Sequence, residues 1–243
     1  MRSVFAEKVW GKKMSNHTWS YSSISTFAQC KMRWMGERIM GFRSPPTPAL
    51  EFGSAAHRAA EEYGKEGTPF PDEFKFMESF VEPLRSAPGT KFYEYEMGLT
   101  AELDPCEFRG DDKCWWRGIA DYLCISEDEK TCHLVDYKTG SKRYSDTKQL
   151  NILSLAIFAH FPKVETVNGA LIFVKNKPDD ALVTEVYKRK DSEKMWEYWD
   201  KLIETLQHAL VTGEPAFTPT KNALCKNYCP VTICKYNGAY TGG

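Results

Sequence analysis

Residues 115–140 have the sequence WWRGIADYLCISEDEKTCHLVDYKTG. The runs 116–125 and 132–137 are apolar and rich in residues that favour β-strands, and a charged turn separates them. We therefore predict two strands joined as a hairpin. The fold prediction for the rest of the chain starts from this hairpin.

Each predicted strand contains one acidic residue, Asp121 and Asp136, and Lys138 follows two residues after Asp136. Alternate residues of a strand point to the same face, so Asp136 and Lys138 lie side by side and strand pairing brings Asp121 to that face. Mg²⁺ and Mn²⁺ prefer oxygen ligands, and an ammonium group stabilises charge developing on a phosphate. These residues therefore predict a divalent-metal site. The alternative is a strand-end ion pair with Asp121 in a turn.

The composition is that of an ordinary globular protein: 243 residues, a net charge of −1, 42% hydrophobic and 27% charged residues. Such a charge neither requires nor excludes a nucleic-acid partner, because a local basic groove matters more than the sum. We expect a cytoplasmic protein, since no apolar run has membrane-spanning length and no export signal is apparent. In that compartment the eight cysteines favour metal ligands or buried thiols over disulfides.

The predicted organisation is a flexible arm, residues 1–18, followed by one domain, residues 19–243. Serines from Ser20 onward precede an apolar-periodic segment, which predicts a helix carrying Phe27, Cys30 and Trp34. By itself, Cys30 is most simply a buried free thiol.

An Ala-rich segment, residues 50–61, predicts a second helix with Gly53 and His57 on one face. A lone helical histidine is usually a packing or surface residue. The segment 91–103 predicts a strand of the same sheet that carries Glu94 and Glu96, and the pattern does not choose which of them faces the site.

Near the C-terminus, three cysteines lie within ten residues: Cys225, Cys229 and Cys234. Thiolates so close repel one another unless a metal binds them, so the segment predicts a cofactor site. Cys106, Cys114, Cys124 and Cys132 have no such spacing and are predicted to be buried thiols.

The hairpin resembles the core of the PD-(D/E)XK nuclease superfamily, in particular its RecB-like exonuclease branch. Asp121 matches the first acidic residue, Asp136 the second and Lys138 the catalytic lysine. His57 matches the histidine of the Gly-x-x-x-His motif, which helps to bind the metal, and Gln149 matches a glutamine that faces the active site.

One departure from this pattern is Leu153, since the family usually has a substrate-contacting tyrosine four residues after the glutamine. The resemblance implies an α/β, restriction-endonuclease-like core with a central mixed β-sheet flanked by helices. It also implies that Mg²⁺ or Mn²⁺ is held by His57, Asp121, Asp136 and the Tyr137 carbonyl. Lys138 would then serve the attacking water and Gln149 would position the substrate or the lysine.

The cysteines resemble the 4Fe-4S sites of CRISPR-adaptation exonucleases and AddB-type nuclease domains. There, one N-terminal cysteine joins three C-terminal ones, which implies a cluster on Cys30, Cys225, Cys229 and Cys234, with residues 217–236 as the C-terminal part of the site. The first C-terminal gap holds three residues where relatives commonly have two, so Zn²⁺ on the same four thiolates stays an alternative.

The function that the resemblance implies is a metal-dependent DNA exonuclease acting on single-stranded DNA or free ends in recombination, repair or phage and host DNA processing. No Walker A motif is present, so recombination or helicase partners would be separate proteins. Basic and aromatic residues after the hairpin are candidate DNA contacts: Lys142, Arg143, Tyr144 and Lys148. Two alternatives are a non-catalytic DNA-binding module and an iron–sulfur redox or sensor protein.

Overall fold

The computed structural model describes residues 18–241, so the predicted arm lies outside the described residues except for Thr18. The described chain forms two compact units. The first is Thr47–Trp196, and the second combines residues 18–46 with residues 197–241. That they act as one nuclease domain stays a prediction.

A six-stranded mixed sheet forms the centre of the first unit, in the order β2-β1-β3-β4-β5-β6. Only β4 and β5 are parallel neighbours, and every other neighbouring pair is antiparallel. The predicted central mixed sheet of an α/β fold is thereby confirmed. The strands are β1 Thr90–Leu99, β2 Pro105–Cys106, β3 Trp116–Ile125, β4 Thr131–Lys138, β5 Thr166–Phe173 and β6 Leu182–Lys188.

The predicted hairpin is confirmed as β3 and β4, which pair from Tyr122 with Val135 to Ile125 with Cys132. The pair Tyr122–Val135 is the last of the ladder on the side of the site, one residue short of Asp121 and Asp136. The strands therefore separate where the two carboxylates lie, and this separation opens the sheet for a site.

Helices of the first unit flank the sheet, as the α/β prediction requires. The six α-helices of the described chain are α1 Tyr21–Gln29, α2 Lys31–Met35, α3 Pro48–Glu66, α4 Glu78–Ser86, α5 Lys148–His160 and α6 Ser192–Thr212. A 3₁₀ turn, Asp72–Met77, precedes α4.

Helix α3 has clear start and stop signals. The Thr47 side chain caps its first turn by accepting a hydrogen bond from the Leu50 amide, and the helix ends at Gly67, whose φ of 72° suits glycine. Its small residues Ala56 and Ala60 are buried against the sheet in one core with residues of β3 and β4. The small side chains let the helix backbone lie close to the strands.

One helix prediction is wrong, and it concerns the second unit. Cys30 does not lie within a continuous helix, because its backbone is extended, with φ −163° and ψ 109°. Its sulfur instead caps α2, accepting a hydrogen bond from the Arg33 amide at 3.5 Å. The core of this unit is aromatic: the Trp34 ring stacks on the Phe217 ring at 5.8 Å between centroids.

Gly64 gives a test of how tightly α3 packs on β1. A Cβ atom at this position would overlap the Tyr93 ring. Alanine normally stabilises a helix relative to glycine by about 1 kcal/mol. Here we expect Gly64→Ala to destabilise the protein by about 1–3 kcal/mol, as overpacking does. Urea unfolding measures the change. Gly140→Ala is the control, because a Cβ there would meet nothing within 4 Å, and an equal effect of the two substitutions would contradict the packing argument.

Candidate active site

Asp136 is the centre of the site and is almost fully buried, with 2% of its surface exposed. Its Oδ1 accepts a hydrogen bond of 2.6 Å from Gln149 Nε2, and its Oδ2 lies 2.6 Å from Lys138 Nζ. Lys138 Nζ in turn donates to Gln149 Oε1 at 2.7 Å. The three side chains close a ring, which joins Asp136 and Lys138 of the hairpin to Gln149, a residue predicted from a separate motif.

Asp121 forms the second part of the site. In the described registers it has no ladder partner on either β1 or β4. Its Oδ2 instead accepts a hydrogen bond of 2.7 Å from the Tyr137 amide and lies 3.3 Å from His57 Nδ1. The carboxylate thus joins α3 to β4 across the opening in the sheet.

Glu94 is a site residue that the sequence analysis did not select. It lies on β1 opposite Asp121, where the ladder is interrupted, and its φ of 48° is left-handed, which is uncommon for a residue other than glycine. Ligand atoms of Glu94, Asp121 and His57 all lie within 4.8 Å of one another. Glu96, the other candidate, pairs with Arg109 at 2.9 Å instead.

The crowding of carboxylates perturbs the ionisation of the site. Burial raises the pKa of Glu94 to about 7, and the neighbouring Asp121 charge adds to the effect. Burial also raises the pKa of Asp136, and Asp121 again adds to it, against the opposing effect of Lys138. Burial lowers the pKa of His57, but its hydrogen bond to Asp121 and the nearby carboxylates outweigh burial and bring the pKa to about 9.

This donor set fits a divalent cation. Carboxylate oxygens, and a histidine nitrogen once it has released its proton, are ordinary ligands of Mn²⁺ and related metals. Among the described residues, the Lys138 ammonium at 2.6 Å is the partner of the buried Asp136 Oδ2, and the second lone pair of this oxygen is left for a further partner. A cation among these groups would also relieve the repulsion between Glu94 and Asp121. A role for the Tyr137 carbonyl as a ligand stays a prediction.

The predicted DNA contacts lie outside this cluster and stay predictions. Lys142 Nζ contacts Asp180 Oδ1 at 2.8 Å, and Lys148 Nζ contacts Asp146 Oδ2 at 3.2 Å. Arg143 is exposed, and the Tyr144 side chain is outside the described part of the structure. To contact DNA, Lys142 and Lys148 would each have to exchange an aspartate partner for a phosphate.

Three of the four predicted cluster cysteines lie close to one another in the second unit. Cys30 Sγ accepts a hydrogen bond of 3.3 Å from the Thr220 amide, and Cys225 Sγ donates to the Thr220 carbonyl at 3.7 Å. Burial raises the pKa of Cys229, and the nearby Cys225 and Cys30 contribute to the shift. Cys234 is buried. Among residues 18–241 these sulfurs do not form a compact four-thiolate ligand set.

The remaining cysteines agree with the prediction of buried thiols in three cases. Cys114, Cys124 and Cys132 are buried, whereas Cys106 is half-buried.

None of the helices described for residues 18–241 is long and apolar enough to cross a membrane.

Comparison with known proteins identifies a family. The model of the PD-(D/E)XK nuclease superfamily matches residues 18–85 and 73–235. No curated protein matches the chain.

Two solved structures have a distant likeness to the chain. A candidate exonuclease from Eubacterium rectale is 13% identical, with a TM-score of 0.46, and the match covers 94% of this chain and 92% of the other. SSO0001 is 14% identical, with a TM-score of 0.41, and the match covers 97% and 96%. At these TM-scores the likenesses carry no argument.

Glu94→Gln tests whether the acidic cluster is destabilising. The raised pKa means that the folded protein holds this proton more tightly than the unfolded chain, so stability is lost as pH rises from about 4.5 to about 7. In EDTA, the substitution should therefore raise the unfolding temperature at pH 8 and have little effect at pH 5. Glu96→Gln is the control. An equal rise in the unfolding temperature at both pH values would show that charge crowding does not cause the stabilisation.

Proposed function

This chain belongs to the PD-(D/E)XK nuclease superfamily, and we propose that it is a metal-dependent DNA exonuclease. The observation that carries the proposal is the ring formed by Asp136, Lys138 and Gln149 beside the ligand group of His57, Glu94 and Asp121. A strand-end ion pair would need neither the glutamine nor the histidine. A non-catalytic DNA-binding module would have no use for a lysine held against the buried carboxylate.

We propose that His57, Glu94, Asp121 and Asp136 hold Mg²⁺ or Mn²⁺. The chemistry that such a cation supplies is the acidification of a water molecule and the stabilisation of charge on the scissile phosphate. Superfamily membership supports the use of a divalent metal. Glu94 is an addition to the ligands expected from the sequence.

Lys138 has two roles in this proposal. Its ammonium group, half-buried beside Asp136, stabilises negative charge that develops on the phosphate. In the same form it orients the attacking water, whereas a neutral Lys138 amine would instead accept the proton of that water. Gln149 restrains Lys138 by accepting its hydrogen bond and restrains Asp136 by donating one. The lysine therefore stays in position without substrate, which reduces the reorganisation needed at the moment of reaction.

We further propose that Cys30, Cys225, Cys229 and Cys234 bind one 4Fe-4S cluster, with Zn²⁺ as the alternative cofactor. The hydrogen bond from the Thr220 amide to Cys30 Sγ supports this proposal, because backbone donors to sulfur are common around such sites. The cofactor would connect α1 and α2 to the C-terminal segment and would be structural. Recombination, repair or phage DNA processing is the process we infer, with helicase or recombination proteins as partners.

Lys138→Ala tests the proposed mechanism. Loss of the group that serves the attacking water should reduce the cleavage of end-labelled DNA by about 100-fold or more, because acid–base contributions are typically ~10²–10⁴-fold. His57→Ala should instead recover part of its activity at high Mn²⁺, since it loses only a metal ligand.

Lys163→Ala is the matched control for Lys138→Ala. Lys163 is an exposed lysine paired with Glu129 at 2.6 Å, and the Lys163→Ala variant should keep full activity. Retention of more than about a tenth of the wild-type rate in Lys138→Ala would exclude the proposed role of this lysine.

Cys30→Ser tests the cofactor. Substitution of one of four ligands should release the iron or zinc and lower the free energy of unfolding by several kcal/mol, because metal binding is coupled to folding. Iron, sulfide and zinc analysis of anaerobically purified protein measures the first effect, and urea unfolding measures the second. Cys106→Ser, in a half-buried cysteine of the other unit, should keep the metal content. A Cys30→Ser variant with wild-type metal content and stability would refute the site.

A further inference from the structure

A pocket of about 500 Å³ lies in the first unit and has no part in the mechanism proposed above. Three phenylalanine rings and one lysine define it, and we call it the phenylalanine pocket: Phe52, Phe76, Phe80 and Lys175. Buried Val174 forms part of its wall.

The pocket adjoins the proposed active site through two elements. On the sheet side, the Val174 amide donates a hydrogen bond of 3.1 Å to the Lys138 carbonyl, so Lys175 lies just beyond the ends of the parallel strands β4 and β5. On the helix side, a Cβ at Gly53 would lie 3.2 Å from Thr139 Oγ1, which shows how closely α3 approaches the end of β4.

The separation between the pocket and the ligand group can be estimated along α3. Phe52 precedes His57 by five residues, which is about 7.5 Å of helix rise and about 140° of rotation, so the two side chains lie farther apart than the rise alone. Two nucleotides of a B-form strand rise by about 7 Å, at ~3.4 Å each. A strand with one phosphate at the ligand group would therefore reach the pocket with a base at least two nucleotides away.

The chemistry of the lining suits a base and a phosphate. Phe76 is 41% exposed, so a large part of its ring is accessible to a ligand. The Phe52 ring packs on Phe74 at 5.2 Å between centroids, and Lys175 Nζ lies 4.3 Å from its centre. No carboxylate of the described residues forms an ion pair with Lys175, so its charge is available to an anion.

We propose that the phenylalanine pocket binds one unpaired nucleobase of the substrate strand, while Lys175 contacts the adjoining phosphate. Every base has a ring face, so aromatic stacking is tolerant of sequence, as an exonuclease requires. A base inside a duplex is stacked on its neighbours and must be extruded before it can enter a pocket. The preferred substrate is therefore single-stranded DNA or a frayed strand end. This inference rests on the proposed function.

The first experiment measures equilibrium binding of a fluorescent single-stranded oligonucleotide in EDTA, where metal-dependent cleavage does not occur. Loss of one stacking partner typically weakens binding by about 10-fold, so Phe76→Ala should raise Kd by that factor, and Phe76→Trp should restore it. Lys175→Gln should lower the slope of log Kd against log salt by about one. Leu182→Ala, which removes a 51% exposed apolar side chain on β6, is the matched control and should bind as the wild type does.

The second experiment uses oligonucleotides with one abasic site at successive positions. In the wild type, one position should weaken binding by about 10-fold. In Phe76→Ala the abasic site at that position should not raise Kd further, because the base and the Phe76 ring form one interaction. Thermal unfolding confirms that the exposed Phe76 can be replaced without loss of the fold.

The outcomes separate this inference from the function on which it rests. A wild-type protein that neither binds nor cleaves DNA with Mg²⁺ or Mn²⁺ overturns the proposed function. A wild type that cleaves normally but binds blunt duplex better than single strands overturns the pocket inference alone. Equal abasic penalties in the wild type and Phe76→Ala also overturn it alone.

Discussion

The burial of the Asp136 carboxylate is the constraint on which the arrangement of the site depends. A carboxylate with 2% of its surface exposed is costly unless charges and hydrogen bonds offset the loss of water. Lys138 and Gln149 provide that compensation from β4 and α5. Helix α5 must therefore hold one residue over the end of the sheet, and the removal of either partner would leave a buried charge incompletely paired.

The hairpin could be predicted because its signals are local. Strand alternation fixes the relation of Asp136 to Lys138, and a short charged turn fixes the pairing that brings Asp121 near them. Glu94 and the break at Cys30 could not be predicted in this way. A left-handed glutamate and an extended cysteine between two helices are unfavourable local choices, which only the surrounding structure imposes.

Glu94 shows what such a local exception costs and what it provides. Its left-handed backbone and its repulsion with Asp121 both work against folding, and strained or crowded residues of this kind concentrate at functional sites. The gain is a third side chain within ligand distance of Asp121 and His57. A regular strand would keep the ladder intact at this point. The loss of stability and the ligand geometry thus have one origin.

Helix α3 couples the two halves of the proposed substrate site. It carries His57 at the ligand group and Phe52 at the phenylalanine pocket, and its position relative to the sheet is fixed by Gly53 against Thr139 and by Gly64 against Tyr93. An α-helix of this length moves largely as one body, so a shift at one end changes both contacts. The binding of the metal and the binding of the DNA strand are therefore expected to depend on each other. The packing of α3 on β1 and β4 would carry this coupling.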